Sequence, residues 1–283
     1  MSAVAVKAAA PKADADRTRD ALAKLGLEHA AERLNDLLSV AVKENFAPHR
    51  LLDELLGIEH DRREERRVRT SLMLSGLPTG QTLDTFDCSF QPGVDRKQVE
   101  TLASCAFVRE QENVLFGGPP GVGKTHLARA LGIRAVQQGF SVGFYRLEDL
   151  MHAMKKDADV PPRRLKGKKY LKVALLIIDE VGFTPLSRQE ASLFFRMISY
   201  RYQRGSTLIT TNKSVKEWPE VLAGDEVMTA ALLDRLLHRC HVLNIKGRSY
   251  RLKELGGARP VPGPFHRPTQ AGRSGSQQAI EGA

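Results

Sequence analysis

The eight residues Gly118-Pro119-Pro120-Gly121-Val122-Gly123-Lys124-Thr125 constrain the fold of this chain more than any other stretch. Ahead of them Asn113-Val114-Leu115-Phe116 reads as a short apolar strand. Behind them His126-Leu127-Ala128-Arg129-Ala130-Leu131 reads as the start of a helix. Strand, glycine-rich loop, Lys-Thr and helix, in that order, make a phosphate-binding loop. Backbone N–H groups can wrap a triphosphate only where no Cβ blocks the approach, which is the use of Gly118, Gly121 and Gly123. The helix that follows points free N–H donors and a partial positive charge at the phosphates. Lys124 adds a point charge for the β/γ-phosphates, and Thr125 offers a hydroxyl to Mg²⁺. The nucleotide-contacting candidates are therefore Gly118, Pro119, Pro120, Gly121, Val122, Gly123, Lys124, Thr125 and the adjoining His126, with a nucleoside triphosphate and Mg²⁺ as cofactors. A loop of this kind says that a nucleotide binds and is silent about purpose.

The 283 residues suffice for one large domain and a smaller one. A formal net charge of +10 points to an acidic polymer or an anionic surface as partner. Three cysteines, Cys88, Cys105 and Cys240, lie far apart; they fit a reducing cytoplasm and give no metal-ligand spacing. No apolar run approaches the ~20 residues that span a bilayer. The Ala-rich start carries Lys7 and is broken by Pro11, a poor secretory signal. A cytoplasmic protein with no membrane partner is expected.

Four segments follow from pattern and composition: a disordered tail over 1–16, a helical N-terminal domain over 17–78 that binds DNA or a partner, a nucleotide-binding domain over 79–254, and a disordered tail over 255–283. In the helical part Leu22, Leu25, Ala30, Leu34, Leu37, Leu38 and Ala41 mark one apolar face. Pro48 restarts a helix after Asn45-Phe46-Ala47, and Arg62, Arg66 and Arg69 share a face of its continuation. That face is either a salt-bridged, solvated surface or a surface for phosphates or a partner. Residues 83–90 read as a connecting segment and 98–110 as one helix. The window from Lys155 to Lys172 is the most basic: Lys155, Lys156, Arg163, Arg164, Lys166, Lys168, Lys169 and Lys172 stand against Asp157 and Asp159. With Pro161-Pro162 and Gly167 at its centre it reads as a loop, suited to a nucleic-acid phosphate track.

Val173-Ala174-Leu175-Leu176-Ile177-Ile178 is the continuous apolar strand of a parallel sheet covered on both faces. Asp179 and Glu180 follow at its carboxyl end, where open α/β sheets place ligands. Asp179 suits Mg²⁺, and Glu180 suits polarising the attacking water. Asn212 ends the next strand, 206–211, where its amide can orient water or meet the γ-phosphate; Thr211 can share that role. Arg235 and Arg239 lie on one face of a helix over 230–239. A guanidinium there can stabilise the transferring phosphoryl group, and if a neighbouring subunit supplies it, hydrolysis requires assembly. Arg235 is the choice for this finger, Arg239 the competitor. After the last strand Arg251 can contact the nucleotide of its own subunit, with Arg248 as competitor.

Together these residues resemble an AAA+ ATPase, and more closely the IstB-type helper ATPases of insertion-sequence transposition, which are similar to DnaC-type helicase loaders. The resemblance runs from about Arg17 to Glu254. It is carried by Gly117 to Ala128, Leu176 to Gly182, Thr210-Thr211-Asn212, Asp234 to His238 and Ile245 to Arg251, and Leu25-Gly26-Leu27 with Ala30 to Leu34 favours the helper over the loaders. It implies an α/β fold: an AAA+ P-loop, three-layer αβα core on a parallel sheet, preceded by a small all-helical domain. It implies Walker A roles for Lys124 and Thr125, Walker B for Asp179 and Glu180, sensor I for Asn212, the arginine finger for Arg235 and sensor II for Arg251. The triphosphate implied is ATP, and the activity implied is ATP hydrolysis by a homo-oligomer, with the finger in trans, that assembles on duplex DNA and recruits or stimulates a cognate transposase. The DNA-contacting candidates are Arg62, Arg66, Arg69, Lys155, Lys156, Arg163, Arg164, Lys166, Lys168 and Lys169. The alternative is a replicative helicase loader. A small-molecule P-loop kinase leaves the basic charge, Asn212 and Arg235 unexplained.

Overall fold

Helices α1 (Pro11–Lys24), α2 (Glu28–Lys43) and α3 (Pro48–Ser75) come first in the computed structural model, which describes residues 11–158 and 160–252. The expected C-terminal tail, and the first ten residues of the N-terminal one, lie outside the described residues; 11–16 are helical rather than tail. The chain divides into two compact units between Leu74 and Ser75.

In the first unit Ala30, Leu34 and Leu55 form the core, with Leu22, Leu27, Leu37 and Leu38 packed on it. Leu25, expected on this apolar face, is instead 73% exposed, because α1 ends at Lys24 and the chain turns through Gly26. Leu27, at the N-cap of α2, has no capping side chain. Glu59 of α3 does that work from a distance: its Oε2 accepts His29 N at 3.0 Å and Ala30 N at 3.3 Å, and its Oε1 accepts Arg63 Nε at 3.0 Å. A carboxylate on the free N–H groups of a first turn satisfies donors that the helix cannot.

The second unit holds α4 (Arg96–Ala103), α5 (Ala106–Arg109), β1 (Asn113–Gly117), α6 (Lys124–Gln137), β2 (Val142–Arg146), α7 (Leu147–Lys156), α8 (Pro162–Leu165), α9 (Lys169–Lys172), β3 (Leu175–Val181), α10 (Arg188–Arg201), β4 (Ser206–Thr211), α11 (Trp218–Val221), α12 (Glu226–Leu237) and β5 (Cys240–Asn244). The five strands form one sheet in the order β2-β3-β4-β1-β5, every pair parallel. This is the expected parallel sheet with flanking helices. The helix expected over 98–110 is broken: Cys105 adopts φ +55°, a left-handed conformation that ends α4 and starts α5. The basic window is not one loop but carries the short helices α8 and α9.

Alternation along β3 sorts its side chains to two faces. Leu176 and Ile178 join Leu150, Met154, Phe194 and Met197 under α7 and α10. Ile177 faces α6, where a Cβ on Gly132 would lie 2.7 Å from its Cδ1, so the helix lies on the strand at a distance only glycine allows. A buried guanidinium then ties the sheet edge together. Arg201 is 2% exposed, and donates to Val173 O at 2.9 Å, Tyr170 O at 3.3 Å and Ser206 O at 2.6 Å. Its acceptors fix the entry into β3 against the start of β4. Burial lowers its pKa to about 10.

Candidate nucleotide site

β1 lies between β4 and the edge strand β5, so the loop 118–123 leaves the interior of the sheet at its carboxyl end. Gly123, the N-cap of α6, has φ +99°, and a Cβ there would lie 2.7 Å from Phe86 Cε2. Lys124 is 7% exposed and its Nζ donates to Gly118 O and Pro119 O, each at 2.7 Å. Burial, with a smaller push from Arg251, lowers its pKa from 10.5 to about 8, against the pull of Asp179.

Four further groups meet beside this lysine. Asp179, 1% exposed, accepts Thr125 Oγ1 at 2.9 Å and Thr210 Oγ1 at 2.5 Å, both on Oδ1. Thr210 Oγ1 in turn accepts Glu180 N at 3.0 Å. Both carboxylates lie inside β3, which runs on to Val181 rather than stopping at Ile178. The β3–β4 register breaks between Ile178 and Val181, and Glu180 takes φ +64°. A bulge of this kind re-aims a side chain at a sheet edge. Glu180 Oε2 stands 3.8 Å from Arg146 Nε at the end of β2.

A cavity of about 450 Å³ collects Lys124, Thr125, His126, Asp179, Glu180 and Arg251 on its walls, with Pro120, Gly121 and Gly123 of the loop. Gly118, Pro119 and Val122 shape the loop from behind; Val122 is buried. His126 Nε2 lies 2.9 Å from Thr82 O and 3.2 Å from Thr85 Oγ1, and its ring meets Phe86 edge-on. Asn212 does not line this cavity. Its Oδ1 is buried behind Gly182 and has no partner among the described residues. Arg235 is also elsewhere: it lies over the Phe195 ring at 5.1 Å and donates to Ala231 O at 2.6 Å. Arg239 is held by Glu112 at 2.9 Å and Glu110 at 3.5 Å, which leaves it a poorer candidate for a finger.

Several wall residues have no role that the motifs assign. Thr85, Phe86 and Tyr250 wall the same cavity, and the Tyr250 hydroxyl donates to Asp87 O. The segment 83–90 is thus part of the site rather than a connection alone. Thr210, which enters the motifs only as part of Thr210-Thr211-Asn212, and Arg146 line the cavity too, as do Gln81, Asp87, Arg129 and Phe183. Paired threonines at a strand's carboxyl end, and a charge closing a strand beside an acidic one, are the signals for Thr210 and Arg146.

The basic candidates divide. Lys155 binds Glu190 at 2.8 Å, and this bond, with those from Ser187, holds the Glu190 carboxyl at about 2. Lys168 binds Asp157 at 2.5 Å. Lys169 donates to Ser75 O at 2.9 Å under partial burial, which lowers its pKa. These three are engaged within the fold. Lys156, Arg164, Lys166 and Lys172 are exposed, and the Arg163 side chain lies outside the described residues. On α3, Arg62 pairs with Glu65 at 3.2 Å, while Arg66 and Arg69 are exposed.

The donor set fits Mg²⁺ with a triphosphate. That ion takes one or two carboxylates and fills its shell with water and phosphate oxygens, and Asp179 with the Thr125 hydroxyl makes such a corner. Among the described residues no cluster of three or more His, Cys, Asp or Glu offers a cage for a metal held by protein alone. No helix among them is long and apolar enough to cross a membrane.

A P-loop at the carboxyl edge of a parallel sheet, with a hydroxyl–carboxylate corner beside its lysine, defines a nucleotide-binding α/β protein. The family of IstB-like ATP binding proteins matches residues 20–258, and the chain belongs to it. A Pseudomonas aeruginosa protein named for the insertion sequence IS21 and for ATP binding is 45% identical over 235 residues, 82% of this chain and 88% of that one. A Geobacillus stearothermophilus protein named likewise for IS5376 is 37% identical over 239 residues, 84% and 95% of the two chains. The crystal structure of the DnaC helicase loader is similar over 59% of this chain and 97% of that one, at 24% identity and a TM-score of 0.48, too loose a likeness to decide function.

Proposed function

We propose that this chain is an ATP-hydrolysing regulator of insertion-sequence transposition, which assembles on duplex DNA, recruits or stimulates a transposase, and resets by hydrolysis. The observation that carries the reading is the convergence of Lys124, Thr125, Asp179 and Glu180 on one cavity, in a chain whose relatives are named for insertion sequences and ATP binding. Lys124 neutralises the β/γ-phosphates. Thr125 and Asp179 hold Mg²⁺, which when bound spreads the charge of the phosphate oxygens. Glu180 polarises the attacking water; Asn212, whose Oδ1 lies behind Gly182, orients that water only once its side chain turns toward the cavity. Arg251 contacts the nucleotide within its own chain. Arg235, pointing away from its own cavity, serves a neighbour's. Exposed Lys156, Arg164 and Lys166, with Arg66 and Arg69, track the DNA backbone.

The test is ATP turnover with and without DNA, combined with sizing of the complex formed with a non-hydrolysable ATP analogue. Duplex DNA is expected to raise turnover and to shift the chain to a large assembly. A response to single strands alone favours the helicase-loader reading, and no turnover under any condition removes the enzymatic one.

A further inference from the structure

We propose that Phe183 of one copy docks into the apolar pocket between α7, α9 and α10 of the next copy, beside the Arg235 which that next copy supplies. The inference rests on the shared site proposed above and names the contact that would lock it.

Phe183 sits where the chain turns out of the site, its N–H donating to Glu180 O at 3.5 Å. It is 54% exposed, and among the described residues it is the only aromatic side chain left largely in water. The ring also lies on the wall of the nucleotide cavity, so it stands at the mouth of the site where a neighbour's finger must arrive, and apolar area of this size drives association when covered.

The pocket has the matching shape and chemistry. It is a half-open cleft of about 400 Å³, walled by Met154, Tyr170, Leu171, Leu193, Phe195 and Met197. A cavity of about 150 Å³ is enough for a benzene ring, so a phenyl group enters with room for its flanking backbone. Ser199 Oγ, also on the wall, is buried without a partner among the described residues. A hydroxyl in that state suits a backbone group of an incoming loop.

Phe195 links the pocket to the finger. The ring that forms one wall of the pocket also carries the Arg235 guanidinium, 5.1 Å away. Phe183 stands three residues beyond Glu180. Bringing Arg235 to the next copy's Glu180 therefore brings the pocket towards that copy's Phe183. Charge agrees: Thr184, next to Phe183, donates to Glu148 at 3.2 Å, and Asp149 beside it is exposed. Exposed Arg196 lines the pocket rim. Asp157, also on the pocket wall, is paired with Lys168 at 2.5 Å, which leaves Arg196 to face the acidic pair Glu148 and Asp149 on approach.

The test uses two full-length variants, Phe183→Cys and Arg196→Cys, the latter at an exposed position on the pocket rim, in a background lacking Cys88 and Cys240. They are mixed with a non-hydrolysable ATP analogue and duplex DNA, then treated with a short bis-maleimide. Cross-linked pairs are expected in the mixture and in neither variant alone. In parallel, with the ATP analogue saturating for each protein, Phe183→Asp should raise the protein concentration at half-assembly about tenfold or more, as expected for denying a phenyl ring its burial. If the wild type assembles but the mixture gives no pairs and Phe183→Asp assembles normally, the docking is wrong and the shared site stands. If the wild type stays monomeric, the shared site itself falls, and the docking with it.

Discussion

Thr210→Val removes one oxygen from the centre of the site and little else. Thr210 Oγ1 donates to Asp179 at 2.5 Å and accepts the Glu180 amide at 3.0 Å, at a position 1% exposed. Valine keeps the shape but leaves a buried carboxylate one donor short and a backbone N–H with no acceptor. A hydrogen bond to a charged group contributes about 1.5–3 kcal/mol, and a stranded buried amide costs about 1–3 kcal/mol. Water entering the cavity offsets part of this, so the second unit should lose about 2–4 kcal/mol in a denaturant titration. Turnover should fall roughly 10–100-fold, because each 1.4 kcal/mol of lost positioning is about tenfold in rate. Thr210→Ser keeps the hydroxyl and should stay within about threefold of wild type. Steady-state ATPase assays on both variants, with denaturation curves, decide it. Wild-type turnover in a correctly folded Thr210→Val protein would refute the claim that this hydroxyl aligns the two carboxylates.

Arg146→Ala should raise turnover without DNA by up to about fivefold, since an exposed pair is worth at most about 1 kcal/mol and its loss frees Glu180; a drop in turnover would instead make Arg146 a substrate contact. Because Lys124 titrates near 8 rather than 10.5, its ammonium is lost as pH rises through about 8, so ATP-analogue affinity should fall between pH 7 and 9.5; the unfolded chain holds that proton up to about 10.5, so the same shift makes this group's contribution to stability grow with pH across that window. Fluorescence titration against pH checks the first, and a flat profile contradicts it. Burial acts to raise the Glu59 pKa, but its bonds to Ala30 N, Arg63 and His29 N prevail and hold it below the usual range. Its stabilisation is present above the unfolded value and is lost on acidification through the folded one, so Glu59→Gln should remove the acid-dependent loss of helix followed by circular dichroism. Neutralising Lys156, Arg164 and Lys166 together should flatten the slope of log affinity against log salt by up to about 2.7, the value for three phosphate contacts; an unchanged slope moves the DNA track elsewhere.

The parts of the fold legible in the sequence are those with local signatures. β1, the glycine loop and α6 announce themselves by composition, and β3 by six apolar residues in a row. The parts that were not legible depend on contacts far apart in the chain. Cys105 breaks a helix that periodicity would continue. Glu59 caps a helix it does not belong to, and Arg201 looks like an ordinary charge at a helix end until burial turns it into a clamp. The site divides in the same way. Lys124, Thr125, Asp179 and Glu180 were readable from motif and placement, whereas Phe86, Arg146, Thr210 and Tyr250 reach the cavity only through folding. Charge counting was the weakest guide: Lys155, Lys168 and Lys169 contribute to the basic window but are engaged within the fold.

The central claim, a hydrolytic site shared between subunits, is tested most directly by mixing two inactive variants. Glu180→Gln lacks the residue proposed to polarise the water but keeps Arg235. Arg235→Ala lacks the finger but keeps Glu180. If the finger acts in trans, an equimolar mixture on duplex DNA forms some complete sites, and turnover should recover to about a quarter of the wild-type rate. If Arg235 serves its own chain, or serves no site, every chain in the mixture is defective and turnover stays at the level of the separate variants.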